Sequence, residues 1–276
     1  SLAGRRLAVR LMPLSFAEYS QMGTDLQALL ARCLTFGGLP GLIHHDAPEE
    51  KIRILNEILE TYIQKDVKAL IREENIRAFN SLLYLLAERQ GAVISVGGLA
   101  NDIGLTARTI ERHLSILEQT YVLHSVGSYS RNIGNELKKS RKFYFYDLGI
   151  RNALLRDFSK PDERGDIGGV HESFVALQLI SRLKPNMELK FWRNKAGQEI
   201  DFVLLKNRRP FLIEVKTTLR APEIPPAMKI FMKHYPETAG GIVYSTNLAV
   251  DADHLGKRVA FRRLESLVHD DTDAWW

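Results

Sequence analysis

Apolar residues recur at three- and four-residue spacing through the first half of the chain, and at two-residue spacing through much of the second. In EEKIRILNEILETYIQKDVKALI, Ile52, Leu55, Ile58, Leu59, Tyr62, Ile63 and Val67 form one stripe, which predicts a helix with a buried face. The pattern is helical from Asp25 to Asn75. It breaks at Phe36–Gly41, where FGGLPG stops one helix before the next begins. AFNSLLYLLAERQG, VGGLANDIG and LTARTIERHLSILEQTYVL then predict three helices, with Thr106 as the N-cap of the last and Gly104 in the turn before it. Tyr121–Val126 and KFYFYD (142–147) alternate as strands, so the helices lead into a two-stranded ribbon, the winged-helix pattern.

Beyond Asp147 the order is mixed. LGIRNALL and HESFVALQLISRL (171–183) predict helices, while LKFWRN (189–194), EIDFVLL (199–205) and FLIEVKTT (211–218) predict strands that can pair antiparallel. A helix around Pro226–His234, a strand GGIVYST (240–246) and a terminal tail complete an α/β unit. At the other end, RRLAVRL alternates as an edge or terminal strand that turns at Pro13, with no partner nearby.

Composition narrows the class. Of the 276 residues, 45% are hydrophobic, enough to bury real cores and to exclude wholesale disorder. The single cysteine, Cys33, excludes an intrachain disulfide and reads as a buried small apolar residue. His44, His45 and His113 lack a second ligand at metal spacing. No apolar run approaches the ~18 residues that span a bilayer, so the expectation is a soluble cytoplasmic protein with no membrane partner. Net charge is +5, but it is unevenly placed: 13 Lys/Arg against 14 Asp/Glu in residues 1–126, 19 against 11 in 127–220, and 6 against 8 in 221–276. A middle segment of +8 suits a polyanion-facing surface.

That segment holds the strongest chemical signal. Alternation puts Glu214 and Lys216 on one face of a strand and Val215 on the other, and the turn at 206–210 brings Asp201 alongside on the neighbouring strand. Glu172, in the first turn of the preceding helix, adds a third carboxylate. An acid followed by a lysine on a strand is common by chance, but these acids emerge from apolar strands, where an unpaired charge is costly. Two carboxylates, the Val215 carbonyl and water suit a hard cation, Mg²⁺ or Mn²⁺. Such a cation would hold a phosphate and acidify a water, with Lys216 orienting that water or stabilising charge. Arg193, Lys195 and Arg208 lie nearby in sequence as phosphate-neutralising groups.

The run WRNKAGQEIDFVLLKNRRPFLIEVKTT, preceded by GGVHESFVALQLI, resembles the PD-(D/E)XK restriction-endonuclease-like core. More closely, it is similar to the uncharacterised C-terminal domain that follows the ATPase domain in a large group of prokaryotic AAA-type ATPases. The likeness extends through KSRKFYFYDLGIRNALL, ISVGGLANDIGLTARTIERHLSILEQTYVL, FGGLPG and ETYIQKDV, and so covers nearly the whole chain. LAGRRLAVRLMPLSFAEY is similar to the last strand of the ATPase domain in those proteins. The resemblance implies four segments: an ATPase remnant and linker (1–24), a helical lid-like segment (25–77), a winged helix (78–150), and a nuclease-like domain with a mixed central sheet (151–276). By position it assigns Glu172 as the helix acid, Asp201 and Glu214 as metal carboxylates, and Lys216 as the catalytic lysine. No GxxxxGK[ST] phosphate loop occurs, so ATP is not assigned to these residues, and the chain reads as part of a longer ATPase or as a shortened relative.

If 106–118 is a recognition helix, Arg108 and Arg112 share its groove-facing side, although Glu111 and Glu118 on the same helix oppose a nucleic acid. The ribbon that follows offers Arg131, Lys138, Lys139, Arg141 and Lys142 to phosphates. The expected function is metal-dependent DNA phosphodiester hydrolysis guided by a winged helix, with RNA as the alternative substrate and the missing ATPase domain as partner. The competing expectation is a non-catalytic nucleic-acid-binding or protein-interaction module serving an ATPase.

Overall fold

The computed structural model describes residues 11–62, 76–130, 140–269 and 271–276. Residues 5–10 of the expected terminal strand, the whole of Ile63–Asn75, and Arg131, Lys138 and Lys139 lie outside the described residues. A short helix α1 (Phe16–Tyr19) is capped by Ser15 in a reciprocal box with Glu18. Helices α2 (Leu26–Phe36) and α3 (Pro48–Ile58) follow; α2 is capped by Asp25, and α3 starts with proline at its first turn. Then come α4 (Ile76–Glu88), α5 (Val96–Ile103) and α6 (Ala107–Gln119). Gly104 sits in the left-handed region at φ 77°, and the Thr106 hydroxyl accepts the Thr109 N–H, so the turn and cap fall where the sequence puts them.

Strands β1 (Leu123–Ser128) and β2 (Arg141–Phe145) pair antiparallel. After them come α7 (Leu148–Leu155), α8 (Ile167–Ser181), β3 (Met187–Arg193), β4 (Glu199–Lys206), β5 (Arg209–Val215), α9 (Pro226–His234), β6 (Gly241–Ser245), β7 (Val250–His254) and β8 (Lys257–Arg263). The described strands form one eight-stranded mixed sheet in the order β2-β1-β3-β4-β5-β6-β8-β7. The ribbon therefore does not stand apart: β1 pairs parallel with β3 through Gly127 and Ser128, and strands from both sides of residue 150 share the sheet.

Alternation along the strands decides what covers each face. Phe202, Leu204, Ile213 and Tyr244 pack against α2 and α8, while Val203, Leu212, Val243 and Phe261 pack against Met228 and Phe231 of α9. The three-helix unit has its own core of Phe79, Leu82, Leu86, Ile110 and Leu114, closed by Phe143 and Phe145 of β2. Tyr144, between those two phenylalanines, points to the opposite core, so β2 divides the two units with alternate side chains.

Three expectations change. The terminal tail contains the β7–β8 hairpin, turned at Leu255 and Gly256, both at positive φ. β7 is an exposed edge carrying Asp251 and Asp253, so it lacks the apolar alternation that marks a strand. α8 begins at Ile167 rather than near His171, because Gly168 and Gly169 are helical; Glu172 thus lies in its second turn. Tyr62, placed in the buried stripe, is exposed.

Two contacts lock the end of α2 to the start of α7. Asp147 is fully buried; it accepts the Ile150 N–H as the cap of α7 and the Gly38 N–H at 2.7 Å, so the FGG turn and the start of α7 share one carboxylate. Burial pushes its pKa up to about 6 against the pull of those N–H groups. The backbones are in close contact: a Cβ on Gly149 would lie 2.2 Å from the Phe36 carbonyl oxygen. Helix propensity alone favours alanine over glycine by ~1 kcal/mol, but here the overlap is with backbone that has no room to move. Gly149→Ala is expected to destabilise the protein by about 2–3 kcal/mol. The denaturant midpoint reads this, and an unchanged midpoint would contradict the packing.

Candidate functional site

The acids gather where β4 and β5 open away from each other. Their ladder runs from Lys206↔Arg209 to Phe202↔Ile213. On the other side of β4, the pairing with β3 slips between Lys190↔Val203 and Trp192↔Ile200, which inserts one extra residue into β4 next to Asp201. A bulge of this kind bends the strand and re-aims a side chain. Asp201 Oδ2 accepts the Val215 N–H at 2.8 Å, and its own N–H donates to Glu214 Oε2 at 3.3 Å. Lys216 Nζ then donates to Glu214 Oε1 at 2.6 Å.

Asp201 also faces the other half of the cluster. Its Oδ1 is 3.8 Å from Lys142 Nζ, which lies 3.0 Å from Glu172 Oε1 and 2.7 Å from Glu199 Oε1. The Tyr144 hydroxyl donates to the same Glu172 oxygen at 2.6 Å. Gly91, at φ 81° after α4, closes over Glu172: a Cβ there would lie 2.9 Å from Oε1. Glu172, Asp201, Glu214 and Lys216 are thus brought together, with Val215 contributing its N–H. Two groups of acids meet at Asp201, one centred on Lys142 and one on Lys216.

Four carboxylates face two ammonium groups, and the imbalance is visible in their acidity. Burial first, then the charge of Asp201, pushes both Glu172 and Glu214 up to about 7. Burial opposes the charge on Lys216, but Glu214, Asp201 and Glu172 outweigh it and hold its pKa above the ordinary value. Carboxylate oxygens in excess of cations are the donor chemistry of a hard divalent ion, and to that extent the residues fit one. Among the described residues, however, no three His, Cys, Asp or Glu side chains stand grouped to hold a metal. The Lys142 ammonium lies between Glu172 and Asp201.

Of the remaining basic residues expected at the site, Arg193 reaches its edge at Glu199 and the others lie elsewhere. Arg208 is in the tight turn of the β4–β5 hairpin, with Asn207 and Arg208 both at positive φ. It sits at the far end of both strands, ~20 Å from the acids at ~3.3 Å per residue. Arg193 and Lys195 are exposed at the β3–β4 end, and Arg193 Nε is 3.9 Å from Glu199 Oε2. Arg108 and Arg112 are exposed on α6. Arg141 is committed to Glu111 at 2.5 Å and Glu118 at 3.8 Å, which leaves little of its charge for a phosphate. Lys142, expected to touch phosphates, is 1% exposed. Its inward direction had a signal in KFYFYD, where Lys142 is in phase with Tyr144 and out of phase with Phe143 and Phe145. Glu199, two residues before Asp201 and so on the same side of an alternating strand, also joins the cluster through Lys142.

The raised acids imply a sign for pH. Between the ordinary carboxylate pKa of about 4.5 and about 7, the folded protein keeps protons that the unfolded chain has released, so stability falls as pH rises through that window. Glu172→Gln and Glu214→Gln together should flatten this slope, measured as the urea midpoint between about pH 5 and pH 7.5 in a chelating buffer. The difference between variant and parent isolates these acids from Asp147 and His171. Parallel pH curves for the two proteins would contradict the assignment.

The comparisons divide the chain along the same line. Residues 27–161 match a domain of unknown function (DUF8612) and residues 167–261 match a second (DUF4143). Lys142, Tyr144 and Gly91 thus fall in the first match, and Glu172, Glu199, Asp201, Glu214 and Lys216 in the second. Uncharacterized proteins of Mycobacterium bovis and Mycobacterium tuberculosis are each 26% identical over 266 residues, covering 92% of this chain and 58% of their own length. An uncharacterized protein of Methanocaldococcus jannaschii is 28% identical over 191 residues, covering 68% of this chain and 39% of its own. The chain therefore spans little more than half the length of the mycobacterial relatives, and its two parts are similar to two domains of unknown function.

Proposed function

We propose that the α/β part is a PD-(D/E)XK-type nuclease core that hydrolyses nucleic-acid phosphodiesters with Mg²⁺ or Mn²⁺, and that the three-helix unit with its ribbon is a winged helix that positions the substrate. The observation that carries this reading is the contact of Asp201 with Glu214 and the Val215 N–H at the open end of β4 and β5, with Lys216 on Glu214 and Glu172 on α8. The element order supports it: a helix, three antiparallel strands, a helix, and a strand parallel to the third.

Asp201 and Glu214 would hold the cation with the Val215 carbonyl, and Glu172 would face it from α8. When bound, such a cation supplies positive charge to the phosphate and acidifies a water. Lys216, whose pKa is held up by the surrounding acids, stays protonated and therefore donates. It orients the attacking water or stabilises charge developing on the phosphate, and does not act as the base. The bend of β4 keeps the Asp201 oxygens off the strand ladder and facing the neighbouring acids. A relation to an ATPase domain in a longer protein belongs to the same proposal and rests on the sequence resemblance.

Plasmid and oligonucleotide cleavage with Mg²⁺ or Mn²⁺, with DNA and RNA arms, tests the reaction. Asp201→Ala and Lys216→Ala should each lower the rate by ~100-fold or more. Equal rates in the parent and both variants would trace cleavage to a contaminant. Salt-dependent binding without cleavage would favour the second reading, a non-catalytic binding module. Lys142 gives that reading its own support, since it already supplies a cation to Glu172, Glu199 and Asp201.

The winged-helix part has a separate readout. If Arg108 and Arg112 contact phosphates, replacing both with alanine should weaken duplex binding for all sequences and make the slope of log affinity against log salt shallower by about 2. An unchanged slope would remove α6 from the interface.

A further inference from the structure

We infer that Lys142 is the resident counter-ion of the acid cluster, and that a divalent cation reaches Glu172 and Asp201 only as Lys142 gives them up. The inference rests on the metal reading above and adds to it a residue from the other matched domain. Three distances support it. Lys142 Nζ is within 3.0 Å of Glu172 Oε1, 2.7 Å of Glu199 Oε1 and 3.8 Å of Asp201 Oδ1, at 1% exposure. A Mg²⁺ ion needs carboxylate oxygens at ~2.0–2.1 Å and close to octahedral geometry. An ammonium hydrogen-bonded to Glu172 and 3.8 Å from Asp201 occupies that space, and its charge repels a second cation placed beside it.

The surroundings indicate where the lysine goes. Its shortest contact is with Glu199, which is not one of the proposed ligands and whose other oxygen faces Arg193. The ammonium lies over the Phe191 ring, 5.6 Å from its centroid. Lys142 can therefore keep Glu199 while releasing Glu172 and Asp201. Tyr144, two residues along on the same side of β2, keeps its hydrogen bond to Glu172 and holds that acid in place during the exchange. Because Lys142, Tyr144 and Gly91 all belong to the helical unit, cation affinity in the α/β part is set by how that unit sits on it.

The test uses the full chain and reads binding rather than cleavage, so an enzyme that binds metal but cuts nothing leaves the inference standing. Free Mn²⁺ is followed by electron paramagnetic resonance for the parent, Lys142→Met and Lys142→Arg. Lys142→Met should bind Mn²⁺ about tenfold more tightly or better, Lys142→Arg no more tightly than the parent, and adding Asp201→Asn should abolish the gain. Equal affinity in the parent and Lys142→Met overturns the role of Lys142 alone. Absence of Mn²⁺ binding in both overturns the metal reading and the inference with it. Should Lys142→Met fail to fold without metal, the parent supplies a second measurement. The ¹⁵N ammonium resonance of Lys142, assigned by its absence from Lys142→Arg, should shift with the same Mg²⁺ midpoint as binding, and saturation with that resonance unmoved overturns the proposal.

Discussion

Taking a carboxylate out of water costs several kcal/mol unless a cation or hydrogen-bond donors replace the solvent. Glu172, Glu199, Asp201 and Glu214 impose that requirement four times within one cluster, and the architecture around them supplies the replacements. Backbone N–H groups come from Val215 and Asp201 itself, and both are available because the β4–β5 ladder stops at Phe202↔Ile213. Ammonium groups come from β2 and from the end of β5. A hydroxyl comes from Tyr144. What these donors leave uncompensated appears as raised pKa values on Glu172 and Glu214.

The same logic holds the helical part in place at a second buried acid. Asp147 ends the segment that begins with Lys142, caps α7 and accepts a backbone N–H from the FGG turn. Lys142, Tyr144 and Asp147 thus place three polar groups within six residues: Lys142 and Tyr144 share Glu172 of α8, Lys142 also pairs with Glu199 of β4, and Asp147 is satisfied by the loop after α2 and the start of α7. Phe143 and Phe145 face the three-helix core from the same strand. A shift of β2 by one residue would exchange the polar and aromatic sets and leave buried charges in an apolar core. That makes its register strongly specified. Arg151 of α7 adds a further link, donating to the Ala87 carbonyl at the end of α4 and pairing with Asp166 just before α8.

How much of this can be read from the chain depends on whether the pairing is local or distant. α6, its Thr106 cap and the Gly104 turn are encoded within a few residues, and so is the Glu214–Lys216 pair on one strand. Asp201 beside Glu214 follows from a hairpin whose turn is visible in the sequence. The bulge at Asp201 is different: it arises from the pairing with β3, and no residue in EIDFVLL announces it. β7 is hidden because an exposed edge strand with two aspartates carries polar residues where buried strands carry apolar ones. The partners of Lys142 lie 30 and 57 residues further along the chain, so a basic run in a ribbon reads as a phosphate-facing surface until the third dimension turns one member inward. Arg208 errs in the opposite sense, since nearness in sequence across a hairpin turn puts it at the far end of the strands.

These distances bear on how the two matched domains relate. Were each independent, the acid cluster of the second would need its counter-charges from its own residues; there Lys216 pairs with Glu214 and Arg193 lies 3.9 Å from Glu199, and among the described residues neither forms an ion pair with Glu172 or Asp201. The first domain supplies a cation from its last strand, a hydroxyl two residues later, and a glycine that leaves room for the Glu172 carboxylate. Among the described residues the β1–β3 pairing that joins them covers Gly127 and Ser128, with the Tyr129 N–H donating to the Phe191 carbonyl, a short seam by comparison with the β3–β4 ladder. Electrostatics therefore contribute to the junction alongside the strand pairing and the packing between α7, α8 and α2. A charge change at the cluster is felt at that junction, and a change in the seating of the helical unit alters the charge seen by Asp201.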